Sequence, residues 1–124
     1  MPNHLHVIWE MKEKNGREMP YASFNKATAH LITKDLKENH PAVLPYFKVT
    51  EREREYRIWQ RDLLAVLMDS KDKFIQKFNY IHLNPLQEHW NLAKRPEEYE
   101  WSSANFYETG KDDFGFLTHF IERF

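Results

Sequence analysis

The chain has 124 residues, a formal net charge of −1 and no cysteine. That length accommodates one domain with a real core, and the missing thiols exclude a disulfide framework and thiolate metal sites. No apolar run approaches a membrane span and no signal peptide opens the chain, so the expected compartment is the cytoplasm, with no membrane partner.

Aromatic residues make up 15% of the chain, enough to build a core or a binding surface from rings,. The balanced charge argues mildly against nucleic-acid binding, but the basic residues cluster, at Arg52, Arg54, Arg57 and Arg61 and then at Lys71, Lys73 and Lys77,.

Residues 4–11 alternate. His4, His6, Ile8 and Glu10 point one way; Leu5, Val7, Trp9 and Met11 point the other, which predicts a strand with one apolar face,. Residues 12–20, with Asn15 and Gly16, read as a turn or loop,. Ser23 is the expected N-cap of a helix that Phe24, Ala27, Leu31 and Leu36 carry to about Lys37,. The two prolines of residues 39–45 break it. A short strand is expected at residues 46–49, and residues 55–61 alternate again. Residues 63–68 form an apolar run that is either a buried strand or the start of a helix,.

Ser70 then caps a helix over residues 71–84, with Phe74, Phe78 and Ile81 on its core stripe and Pro85 at its end,. A short helix is expected over residues 86–90. Another opens at Pro96, anchored by Tyr99, Trp101 and Phe106, and ends at Gly110. The aromatic tail, residues 114–124, turns helical after Gly115. No repeat or second domain is evident, so residues 1–124 read as a single domain of α+β class: an antiparallel sheet with packed helices.

Two constellations carry chemistry. His4 and His6, two apart on a strand, lie on one face about 6.5–7 Å from each other, and leaning imidazoles can then share a metal. Two histidines alone do not name the ion. On the helical wheel Lys73, Lys77, Tyr80 and Asn84 occupy one narrow face, and Tyr80 and Asn84 are one turn apart,. His82 falls about 160° from Asn84 and is expected off the site. Trp59, Trp90 and Trp101 are candidate DNA contacts, but rings at such spacing read first as packing. His30, His40, His89 and His119 read as ordinary surface or half-buried residues.

The stretch Met1-Pro-Asn-His-Leu-His6 resembles the H-hydrophobic-H signature of the single-tyrosine HUH transposases, and Tyr80-Ile-His-Leu-Asn-Pro85 resembles the tyrosine helix of their REP-associated branch. Trp59-Gln-Arg61 and Tyr99-Glu-Trp-Ser-Ser103 are similar to further stretches of that family. The resemblance implies a ferredoxin-like (RRM-like) HUH domain. It implies His4, His6 and Asn84 as ligands of a divalent metal, Mg²⁺ or Mn²⁺, and Tyr80 as nucleophile. The implied reaction is cleavage and rejoining of single-stranded DNA at hairpin ends through a 5′-phosphotyrosine intermediate. Lys73, Lys77, Arg57 and Arg61 are candidate DNA contacts.

Family members carry a strand–helix–strand segment ahead of the histidine strand, so the expectation here is an amino-terminally truncated domain whose exposed sheet edge favours a homodimer. The rival expectations are a catalytically inactive remnant that still binds DNA hairpins and a metal-binding or dimerising fragment.

Overall fold

The computed structural model describes residues 1–13, 16–61 and 64–123. Asn15 of the expected turn, Leu63 of the apolar run and Phe124 of the tail lie outside them. The described residues mix helix and strand: α1 (Pro20–Asn39), a two-stranded antiparallel sheet of β1 (Lys48–Glu51) and β2 (Arg54–Tyr56), α2 (Lys71–Leu83) and α3 (Ala104–Thr109). This composition is compatible with the α+β class. The chain divides into two compact units, one of residues 1–8 and 66–124, the other of residues 9–65. No helix among the described residues is long and apolar enough to cross a membrane.

In the second unit, α1 starts at Pro20, three residues before the expected cap. Proline's fixed φ and missing N–H suit the first turn of a helix. Ser23 therefore lies inside the helix, and its hydroxyl donates to the Glu18 carboxylate at 2.7 Å instead of capping. Trp59 donates through Nε1 to Thr28 Oγ1 at 2.9 Å, a polar tether from its ring to α1. β1 and β2 pair Lys48 with Tyr56 and Glu51 with Arg54 across a tight turn, so the alternation of residues 55–61 yields ladder only as far as Tyr56.

In the first unit, α2 is defined at both ends. The Ser70 hydroxyl accepts from the Lys73 N–H at 3.3 Å, and Asp72 sits in the first turn, where the helix dipole favours a carboxylate,. At the far end Pro85 cannot continue the α ladder, and the chain tightens into a 3₁₀ turn, Asn84–Leu86. The expected helix of residues 86–90 goes no further. Phe74 and Phe78 stack at 5.6 Å, and Phe78 meets Tyr107 edge-on at 4.7 Å and Phe120 at 5.4 Å. These rings are the core of the unit, and they hold α2 against α3 and the tail.

Three expectations fail here. Residues 4–11 join no sheet among the described residues, and Leu5 and Val7 are exposed while His4, His6 and Ile8 turn inward. The alternation holds over residues 4–8, but the half-buried side there is the imidazole side, and Glu10 of that face is exposed. The apolar run after Leu63 is neither buried nor regular: Leu64 is 95% exposed. The helix expected from Pro96 is a single 3₁₀ turn, Pro96–Glu98, separate from α3, and Trp101 between them is 70% exposed instead of anchoring it. Gly110, at φ 76°, closes α3 as expected, its N–H meeting the Phe106 carbonyl at 2.8 Å,. The tail is helical only for one 3₁₀ turn, Phe120–Glu122.

Candidate functional site

The candidate site is built wholly from the first unit. Asn84 is the hinge of its geometry. Its backbone still has helical angles, and its N–H bonds the Tyr80 carbonyl, so it completes the last turn of α2 directly above the tyrosine. Its side chain is 2% exposed. From there the carboxamide Nδ2 reaches His4 Nε2 at 3.3 Å and His6 Nε2 at 3.0 Å. One buried amide thus meets two imidazoles some eighty positions away in the chain.

The two imidazoles lie edge to face, with centroids 4.8 Å apart. Each ring has a further contact. His4 packs against Trp90 at 5.5 Å, and His6 meets the Tyr80 ring edge-on at 5.7 Å. On the outer side, His4 Nδ1 lies 2.8 Å from Asn3 Oδ1. Desolvation is the main reason both histidines ionise below their ordinary value; for His6 the neighbouring His4 adds to it,. Neutral imidazoles keep a lone pair for the centre of the cluster. Tyr80 is 49% exposed, so its ring touches the cluster while one side remains open to a ligand.

The structure brings together His4, His6, Tyr80 and Asn84. The lysines of the same helix face diverge in role. Lys73 is drawn back to Asp69 at 2.6 Å, one turn earlier. Lys77 lies half-buried one turn before Tyr80, with no ion pair among the described residues. Arg57 and Arg61 belong to the other unit, where both pair with Glu51, Arg61 at 3.1 Å. One carboxylate of β1 is thus shared by two guanidiniums, which leaves a net positive charge there.

His82 is off the cluster, as its place on the wheel requires. It is buried against Phe78 at 4.2 Å, and its Nε2 hydrogen-bonds Ser103 Oγ at 2.8 Å. Sequence reasoning missed two neighbours of the cluster. Trp90 does pack, but on the His4 ring, and Asn3 meets His4 from the outer side. Their only sequence signal is adjacency, Asn3 to His4 in the chain and Trp90 to the turn after Asn84.

Among the described residues no group of three or more His, Cys, Asp or Glu is placed to hold a metal ion. The donor set here is two imidazoles and a carboxamide, types that also ligate divalent ions. In comparisons with protein-family models, curated proteins and solved structures, nothing matches this chain.

Proposed function

We propose that this chain carries a centre for cleaving and rejoining single-stranded DNA, of the single-tyrosine HUH transposase type, on a ferredoxin-like HUH framework. In this reading Tyr80 is the nucleophile, and His4, His6 and Asn84 hold a divalent cation, Mg²⁺ or Mn²⁺. The observation that carries it is the convergence of both imidazole Nε2 atoms on the Asn84 amide, at 3.3 and 3.0 Å, beside the Tyr80 ring.

The two contacts now have hydrogen-bond lengths, and a cation would take their place once the carboxamide turns its oxygen inward,. Ligand atoms bound at ~2.1 Å and at right angles about one ion stand ~3.0 Å apart. The Asn84 carboxamide offers oxygen on the same carbon as the nitrogen now facing the rings. Bound there, the ion would polarise the scissile phosphate and offset its developing charge.

The remaining chemistry belongs to the chain. The Tyr80 phenolic oxygen attacks phosphorus and gives up its proton as the new P–O bond forms. The bond from phosphorus to the 3′ oxygen breaks, and that oxygen takes up, through water, the proton the phenol released, so the strand departs with a free 3′-hydroxyl. The 5′-phosphate stays covalently on Tyr80. Attack by the 3′-hydroxyl of a second strand reverses the step, so bond energy is conserved without a nucleoside triphosphate. In this reading Lys77, three positions before Tyr80 on the same helix face, draws the phosphate to the site,. Hairpin ends suit such a site, since their unpaired nucleotides can be splayed out for recognition.

The test is a labelled DNA hairpin with a single-stranded flank, incubated with protein and Mg²⁺ or Mn²⁺ and resolved on a denaturing gel. A covalent protein–DNA adduct is expected from wild type and none from Tyr80→Phe. Nicking by the Tyr80→Phe protein would remove Tyr80 from its role. Salt-sensitive hairpin binding by wild type with no adduct would instead identify an inactive binder.

A further inference from the structure

The contact between Asn3 and His4 has a chemical consequence. A neutral imidazole carries one proton, on either Nδ1 or Nε2. The Asn84 Nδ2 group has only hydrogens to offer, so His4 Nε2, 3.3 Å away, meets it as an acceptor,. The proton of His4 must then sit on Nδ1. There, at 2.8 Å, lies Asn3 Oδ1, which can only accept,. Two groups on opposite sides of the ring select the same tautomer, and that tautomer directs the Nε2 lone pair at the centre of the cluster.

We propose that Asn3 is a positioning residue: its side-chain carbonyl holds His4 in the Nδ1–H form and fixes the ring angle at which Nε2 faces the cation site. This rests on the reading of His4, His6 and Asn84 as cation ligands. Asn3 touches none of the reacting atoms and acts only through His4. The hydrogen bond on the far nitrogen of a ligating histidine fixes its orientation and raises its basicity, and removing such a partner typically weakens metal binding about 10–100-fold. Asn3 is exposed, and water can replace part of its bond. The lower end, about tenfold, is therefore the expected loss.

Two readouts decide the matter. Long-range proton–nitrogen correlation spectra at pH 7.5 report the His4 tautomer directly, without a metal. Wild type is expected to show Nδ1–H. Asn3→Ala should move part of the population to Nε2–H, with the Asn84 amide still favouring Nδ1–H, and Asn3→Asp, which keeps an acceptor oxygen, should restore it. Calorimetric titration with Mn²⁺ should show about tenfold weaker binding for Asn3→Ala and recovery for Asn3→Asp, with circular dichroism unchanged in both. An Nε2–H proton on His4 in wild type, or an Asn3→Ala protein with unaltered tautomer and unaltered Mn²⁺ affinity, overturns the proposal. Wild-type protein that binds no Mn²⁺ overturns the cation reading itself, while the tautomer spectra still decide what Asn3 does to His4.

Discussion

Replacing Asn84 by alanine probes the centre most directly. The side chain is almost wholly buried and supplies both imidazoles with a donor. A neutral hydrogen bond contributes about 0.5–1.5 kcal/mol net, so losing two costs about 2 kcal/mol. The affected unit comprises residues 1–8 and 66–124. For a domain of that size about 1 kcal/mol moves Tm by roughly 4–8 °C, which puts the Asn84→Ala decrease at roughly 10 °C.

The assay is thermal unfolding followed by circular dichroism, for Asn84→Ala, His6→Ala and the double variant. If the amide and the ring act through one another, the double variant loses less than the sum of the two single losses, with a coupling of about 1 kcal/mol. Strictly additive losses, or an Asn84→Ala protein that melts like wild type, would refute the claim that this amide ties the amino-terminal segment to α2.

Other outcomes follow from the same contacts. Tyr80→Phe leaves the half-exposed ring in place, so its stability should stay within about 0.5 kcal/mol of wild type while adduct formation on the labelled hairpin disappears,. Ser70→Ala removes the hydroxyl that accepts from Lys73 N–H, and a denaturant titration should register a loss of about 1 kcal/mol,. Burial holds His82 below its unfolded value of 6.5. The unfolded state therefore binds the extra proton first, and stability should fall as pH drops from 6.5 toward the lower folded value,. His82→Gln should flatten that acid limb, seen as a smaller Tm difference between pH 7.5 and pH 5. Some slope should persist, because desolvation keeps His4 and His6 low as well. An unchanged limb would show that His82 protonates freely in the folded protein.

The local structure of α2 was legible because its signals are local. Ser70 satisfies an orphan N–H at one end, Pro85 forbids the α ladder at the other, and the phenylalanines between repeat at helical spacing. The same logic misplaced the start of α1, where Ser23 and Pro20 are both plausible beginnings and the proline prevails by its fixed φ,. It also failed wherever a residue's fate depends on a distant partner. The pattern of residues 4–11 announces two faces but not which turns inward, and over residues 4–8 the half-buried one carries the imidazoles. Leu64 and Trp101 are apolar residues left exposed, and composition alone cannot tell them from Phe74, which is buried,.

By itself the sequence determined which residues could do chemistry here and which pairs share a face, because side-chain direction follows backbone period over a few residues. It placed His4 with His6, and Tyr80 with Asn84. Only the tertiary structure decided that the two pairs meet, through one buried amide bridging positions 80 apart in the chain. Periodicity carries no term for such a contact. The aromatic core packs along one stripe of α2, and Asn84 and Tyr80, on the adjacent face, meet the amino-terminal histidines,.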